Sequence, residues 1–198
     1  MTEALLALLP AWGPWLLGIT TFLSCLAIPV PSSIMMIAAG AFAASGDLSL
    51  PSLMAAAYGG AVLGDQLGFF LGRHAAQLVP GRLLTGAGGK RAALVAKARE
   101  KLQESGGIAV FFTRWLFSAL GPWINFAAGA SGFGHGRFTV AGVAGEAVWV
   151  TVYVGLGMAF GANLEAATEL ATDALGFLAA GTVALALGWW LYQAARAR

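Results

Sequence analysis

The chain has 198 residues, 59% of them apolar and 10% charged, with 11 Lys and Arg set against 9 Asp and Glu. A water-facing globule carries about a quarter charged residues, so a soluble domain is excluded. A net charge of +2 is too small and too dispersed for a nucleic-acid partner. With a mean hydropathy of +0.78 the bilayer is the solvent. At ~20 residues for each spanning helix, residues 1–198 make one membrane domain.

Met1 to Leu17 lacks the basic leader and small-residue cleavage site of a removable signal peptide, and is expected to stay in the mature protein. Ala4 to Ile28 is apolar, with Pro10 and Pro14 near its start; it predicts an entry helix that becomes regular after Trp15. Pro29 and Pro31 stop it. Ser32 to Ala44 is apolar but too short to cross a core that takes ~20 residues, and is read as half of a re-entrant hairpin. After the Ser45-Gly46-Asp47 break, Leu50 to Leu71 has full spanning length, with Asp65 and Gln66 inside it.

Residues 73–105 hold seven of the eleven basic residues: Arg73, Arg82, Lys90, Arg91, Lys97, Arg99 and Lys101. The positive-inside rule places this linker in the cytoplasm. Gly89 to Glu104 alternates apolar and charged residues as an amphipathic surface helix does. Beyond Gly106 the first half's pattern returns: an apolar run to Phe117, a Gly121-Pro122 break, an Ala/Gly-rich arm to Gly134, a His135-Gly136-Arg137 turn and a span from Phe138 to Phe160. An acidic connection through Glu165, Glu169 and Asp173 leads to a last transmembrane helix at about 174–193, which ends in Trp189, Trp190, Tyr192 and a cytoplasmic Arg pair.

Displacing the chain on itself by 89 residues aligns Gly18–Gly72 with Gly107–Gly161 without a gap, and the run Ala38-Ala39-Gly40-Ala41 falls on Ala127-Ala128-Gly129-Ala130. The repeats are thus about 18–72 and 106–161. Their matching turns, at Asp47 and at Arg137, fall on opposite faces by charge, so the repeat is inverted. The expected fold is all-α: an inverted repeat of two re-entrant hairpins, each followed by a transmembrane helix, plus the amphipathic and C-terminal helices. Such a plan places a polar substrate cavity where the repeats meet.

Four ionisable residues lie within or at the ends of apolar segments, where burial without a partner is costly and function is the default hypothesis. Arg114, in FFTRWLFSALGP, either faces a substrate or snorkels to the cytoplasmic interface. Asp65 either exchanges a proton or positions an arginine; it precedes Arg73 by eight residues, about two turns on roughly one face. Glu146 lies in the middle of the second span with no basic neighbour in sequence, and proton coupling and structural pairing are both open for it. Arg73 is read first as an anchor at its helix end. Gly59, Gly60, Gly64, Gly68 and Gly72 repeat at helical spacing and predict close helix packing. His74, His135 and Cys25 are isolated in sequence, so no metal cluster, cofactor site or catalytic triad is expected, and the protein is not expected to be an enzyme.

Pro29-Val30-Pro31-Ser32-Ser33, Gly64 to Arg73 (GDQLGFFLGR), Phe111 to Trp115 (FFTRW) and AAGASG followed by Phe138 and Trp149 resemble the DedA family of bacterial membrane proteins, also called the VTT or SNARE-associated domain. The similarity runs from about Phe22 to Gly161. It implies opposed re-entrant hairpins and movement of lipids across membranes, polyprenyl phosphates or phospholipids among them. The family's Asp and Arg of GDxxxYxxGR fall on Asp65 and Arg73, and the first Arg of its RFxPGxR motif falls on Arg114. The motif's Pro is Phe117 and its second Arg is Leu120 here. The hairpin acids of the family are Cys25 and Ser33, which argues against a proton-driven cycle. It also leaves Arg114 unpaired, unless Asp65 or Glu146 supplies the acid.

The expected function is transfer of an anionic lipid phosphate between leaflets of the bacterial inner membrane. Arg114 and Arg73 would bind the headgroup, Asp65 and Glu146 would couple protons or position the arginines, and Pro29, Pro31 and Pro122 would hold the hairpins broken. The partners are membrane lipids, with a homodimer left open. A membrane scaffold docking through Gly89–Glu104 and a small-anion permease are the alternatives.

Overall fold

The computed structural model describes residues 2–78, 103–118 and 120–160, together with scattered positions between 173 and 187. Among these, every regular element is helical: α1 (Thr2–Ser24), α2 (Ser32–Ala44), α3 (Leu50–Leu78), α4 (residues 103–115), α5 (Gly121–Ala130) and α6 (His135–Ala159). The amphipathic helix expected at Gly89–Glu104 lies outside the described residues except for its last two positions. The C-terminal helix expected at 174–193 does too, apart from single helical positions.

α1 runs through Pro10 and Pro14 and begins at Thr2, ahead of the expected regular start after Trp15. Proline removes one backbone hydrogen bond, but a helix surrounded by lipid and neighbouring helices keeps the rest of its ladder. The chain then reverses between Cys25 and Pro31, through Ala27 at φ 63°, a conformation that L residues other than Asn or Asp seldom adopt. α2 takes Pro31 as its N-cap and has the bounds expected from the sequence.

The two short helices end by one device. Gly46 and Gly132 both have positive φ, at 86° and 77°. Asp47 N–H donates to the Phe42 carbonyl and Gly46 N–H to that of Ala43; Phe133 N–H donates to the Ala128 carbonyl and Gly132 N–H to that of Gly129. Each is a Schellman stop, which needs a residue free to enter the left-handed region. The second turn is thus complete by Gly134, and His135, expected within the turn, is the first residue of α6.

Packing exchanges the halves: α2 lies on α6 and α5 on α3, while α1 lies along α3. Glycine permits this closeness. A Cβ on Gly40 would overlap the Val154 carbonyl, and one on Gly129, its partner under the 89-residue displacement, would overlap that of Phe69. From the glycine stripe of α3, Gly60 meets the Gly18 carbonyl, Gly64 meets Phe22 and Cys25, Gly68 meets Asn125, and Gly72 meets the Phe126 carbonyl. Gly59 faces open space. Where lipid surrounds the helices, such van der Waals contact replaces the hydrophobic drive as the source of association. Met35, Met36, Ile37, Leu17, Leu53 and Val154 fill one core, and Phe69, Phe133 and Phe138 the other.

Among the described residues α6 is long and apolar enough to cross a membrane by length and composition. Trp15, Ile19, Leu63, Trp123 and Val140 are exposed on the outer surface. Such an apolar exterior suits lipid contact.

Candidate functional site

Five helices deliver one side chain or backbone group each to a buried polar cluster. Cys25 follows the last turn of α1, Asp65 sits midway along α3, Arg114 ends α4, Asn125 lies one turn into α5, and Glu146 is midway along α6. Arg114 is 3% exposed, Asp65 1%, Glu146 2% and Asn125 0%, so the guanidinium does not snorkel.

Arg114 Nε stands 3.1 Å from Asp65 Oδ2 and 3.4 Å from Glu146 Oε1. Neither approach is aligned as a hydrogen bond among the described residues, and the Asp65 and Glu146 carboxyls are also within hydrogen-bond reach of each other. These are close electrostatic contacts. The rest of the guanidinium is better held: Nη2 donates to Asn125 Oδ1 at 2.6 Å and Nη1 to the Gly121 carbonyl at 3.2 Å. The ring of Phe138 lies 5.6 Å from its carbon, within cation–π range.

Of the alternatives open for Arg114, the structure shows the paired one. Cys25 offers it no carboxylate, but Asp65 and Glu146 reach the arginine from the two long helices. Residues 49 and 32 positions away in sequence carry no periodic signature of contact, and only the crossing of α3, α4 and α6 brings them together. Gly142 and Gly145 make the slot: a Cβ on Gly145 would lie 2.7 Å from Arg114 Cγ, and one on Gly142 3.4 Å from Asp65 Oδ2.

Asn125 is the residue that sequence reasoning missed. Its Nδ2 donates to Asp65 Oδ1 at 2.8 Å and to the Cys25 carbonyl at 3.2 Å, while its Oδ1 accepts from Arg114. It therefore ties four helices. A lone Asn in the apolar string GPWINFAAGA was the available signal, because an amide buried in a membrane segment needs partners for both of its ends.

Cys25, isolated in sequence, is not isolated in space. Its Sγ lies 3.9 Å from Glu146 Oε1, and Cys25, Asp65 and Glu146 each place an atom of metal-ligand type within 4.8 Å of the others. The Arg114 guanidinium already stands against both carboxylates of that group.

Arg73 belongs elsewhere. It donates to the Phe133 carbonyl at 3.3 Å, and its carbon lies 4.9 Å from the Phe69 ring. It lines a separate cavity of about 500 Å³ with Gln77, Gln103 and Ser131. The pairing of Asp65 with Arg73 along one helix face is not made. His135 is also partnered, to Gln66 Oε1 at 2.7 Å.

Beside the cluster opens a cavity of about 300 Å³, lined by Cys25, Arg114 and Glu146, by Pro31, Ser32 and Ser33 of the first break, by Ser118, Gly121 and Pro122 of the second, and by Trp149. Both short helices begin on its wall, and neither N-terminus has a side-chain cap. First-turn N–H groups have no intrahelical acceptor, so Ser33 and Ile34 leave amides there, and each helix end contributes about half a positive charge. Pro31 and Pro122 sit at these starts, while Pro29 lies in the extended approach. Oriented amides, two helix dipoles and a guanidinium make a receptor for an oxyanion.

The family described as the VTT domain matches residues 30–159, which take in the breaks, α3, α5, α6 and every member of the cluster except Cys25. An uncharacterized membrane protein of Synechocystis sp. is 33% identical over 139 residues, covering 65% of this chain and 58% of the relative. An alkaline phosphatase-like protein of Lactococcus lactis subsp. cremoris is 28% identical over 141 residues, covering 69% of this chain and 65% of the relative. The matches thus span about three fifths of the length of these relatives. No solved structure matches the chain.

Proposed function

The chain belongs to the VTT-domain family of membrane proteins, the DedA type, and from that premise we propose that it carries an anionic lipid phosphate between the leaflets of a bilayer. One observation carries the reading: two uncapped half-helix N-termini and Arg114 converge on a single cavity. Half-helix ends aimed at a cavity bind anionic groups in other membrane carriers. The headgroup sits in the cavity and the tail stays in the surrounding lipid, which the apolar exterior accommodates.

In this reading Arg114 binds the phosphate, and Asp65, Glu146 and Asn125 hold its guanidinium in place. Arg73 is a second headgroup contact at the far end of α3. The two short helices are arms of re-entrant hairpins related by an inverted repeat; their reciprocal packing on the opposite long helices supports this. The protein is a multi-pass protein of the bacterial inner membrane, with residues 73–105 and the C-terminus cytoplasmic. It acts as a carrier and not as an enzyme, with no cofactor or metal required. The name of the Lactococcus relative points to phosphate chemistry in that protein; here Arg114 occupies the place between the carboxylates that a metal would take.

The test is leaflet exchange in proteoliposomes of a polyprenyl phosphate, phosphatidylglycerol and phosphatidylcholine, with and without a pH gradient and with inorganic phosphate as competitor. The expected result is fast exchange of the anionic lipids, lost in Arg114→Ala and reduced about tenfold or more in Arg114→Lys, which keeps the charge but not the fork of donors. Competition by inorganic phosphate with no lipid exchange would mark a small-anion permease. Exchange no faster than in empty liposomes for every lipid, without such competition, would leave the scaffold reading.

A further inference from the structure

A second hollow, on the outer surface, takes no part in the site above: a furrow of about 720 Å³ runs between α1 and α3. Its floor is small residues and backbone. A Cβ on Gly18 would lie 3.1 Å from the Ala56 carbonyl oxygen and one on Gly60 would overlap the Gly18 carbonyl, so the two helices close it from below. Its rims are bulky: Trp15 and Ile19 on α1 are 75% and 54% exposed, and Leu63 on α3 is 63% exposed. Gly59 also lines the furrow, and a Cβ there would meet nothing within 4 Å. That glycine makes no close contact and has no positive φ, although Gly is a poorer helix residue than Ala. Under the 89-residue displacement the walls recur, with Ile19 on Ile108 and Phe22 on Phe111, but Gly59-Gly60 becomes Val148-Trp149. The repeat itself does not call for this hollow.

Chemistry, length and place together fit one occupant. Every side chain lining the furrow except that of Ser52 is apolar, and in a bilayer the groups at hand to fill it are hydrocarbon tails. From Pro14 to Phe22 the lining of α1 runs about 12 Å, and from Ser52 to Leu63 that of α3 runs about 16 Å, at 1.5 Å per residue. One leaflet is half of a hydrocarbon core of ~30 Å, about 15 Å. The length is therefore that of one tail. A partner helix fits less well, because close helix pairs in membranes put small residues at the contact. Here Trp15, Ile19 and Leu63 would hold its backbone off the floor. The furrow also ends beside the cavity: Phe22 lines the one and Cys25, about one turn on, lines the other. A Cβ on Gly64 would meet both, 2.6 Å from the Phe22 carbonyl oxygen and 2.8 Å from Cys25 Cβ.

We propose that this furrow seats one hydrocarbon tail of the lipid whose headgroup enters the cavity. The proposal rests on the carrier reading above and adds to it a fixed place for the tail on the outer surface. Gly13, one residue before the furrow's lining begins at Pro14, packs on Leu48 beside the Asp47 turn. A seated tail thus runs from the level of the polar cluster toward that turn, and keeps its lipid beside the cavity mouth. Gly59 supplies the width that the tail needs.

The experiment uses the full chain in proteoliposomes that contain phosphatidylglycerol or phosphatidylcholine with a photoactivatable diazirine on the same acyl tail. Adducts formed on illumination are mapped by mass spectrometry, and leaflet exchange of both lipids is measured in parallel. Adducts from phosphatidylglycerol are expected on Trp15, Ile19 and Leu63 several-fold above those on Trp123 and Val140, which are comparably exposed but lie outside the furrow. They are also expected several-fold above those from phosphatidylcholine. Gly59→Phe, whose ring would fill the furrow, should remove these adducts and slow exchange of phosphatidylglycerol several-fold. Gly155→Phe, on α6 and equally in open space, should do neither. Adducts spread evenly over the exposed apolar residues, or equal from the two lipids, would overturn the seat, and exchange by wild type would then leave the carrier reading standing; these comparisons need no variant to fold. Adducts on Trp123 and Val140 with none on the furrow's rims would mean that protein, such as a second copy, covers it, and would overturn the seat as well. Exchange by Gly59→Phe as fast as by Gly155→Phe would remove the furrow from transport. Exchange of no lipid above empty liposomes would overturn the carrier reading itself.

Discussion

Asn125 decides whether the charged cluster can exist. Three buried groups depend on it: Arg114, Asp65 and the Cys25 carbonyl. Replacing it by Leu keeps the volume and removes every one of those bonds. Each orphaned group costs about 1–3 kcal/mol, more where it is charged, so Asn125→Leu should unfold at a much lower temperature than wild type in a thermal scan in detergent. Asn125→Asp should fare worse, since a third carboxylate would face one guanidinium. A wild-type melting curve for Asn125→Leu would show that the amide is dispensable. Cys25 gives a milder test. Its thiol lines the cavity but is nearly enclosed, so N-ethylmaleimide should label it slowly, and an anionic lipid in the cavity should slow labelling further. Labelling at the rate of a free thiol would contradict this burial.

The helices are held by glycines that act for different reasons, and substitution separates them. Gly132 is needed for its φ of 77°, and a Cβ there would meet nothing within 4 Å. Gly132→Ala should therefore cost about 1 kcal/mol, the penalty of a left-handed Ala. Gly129 is needed for closeness, because a Cβ would overlap the Phe69 carbonyl; Gly129→Ala must push α5 off α3 and should cost several times as much, in the range of an overpacked core. Gly59 is needed for neither, and Gly59→Ala should be neutral or stabilising by up to about 1 kcal/mol through helix propensity. Denaturation of the three variants in one detergent would rank them, and any other order would refute this division. The glycine spacing on α3 was legible in the sequence, and so were the bounds of α2. The slot made by Gly142 and Gly145 was not, since two glycines in an Ala/Val-rich helix look like ordinary composition until Arg114 lies between them.

For the molecule as a whole, the proposed inverted repeat makes the two turns that end α2 and α5 open to opposite sides of the membrane. Ser45→Cys and Gly136→Cys, in a Cys25→Ser background, place thiols at exposed positions beside these turns. A membrane-impermeant maleimide added to sealed inverted vesicles should label Gly136→Cys and not Ser45→Cys, with the reverse in right-side-out cells. Labelling of both from one side would overturn the inverted topology.

Composition alone determined that this chain is built for a bilayer, because a sequence with so few charges cannot cover a water-facing surface. Proline and glycine marked the breaks at Pro29 and Pro31, Gly46, Gly121 and Pro122, and Gly132, where they act through their own backbone, but Pro10, Pro14 and the glycines of α3 lie inside unbroken helices. The candidate residues were also legible one at a time, as ionisable groups set in apolar strings. Which of them meet was decided only by the tertiary structure. Contact between Asp65, Arg114, Asn125 and Glu146 depends on how four helices cross, and no local pattern encodes a crossing. The same holds for the cavity: the start of each short helix is written in its own segment, but their convergence on one space is a property of the packed whole.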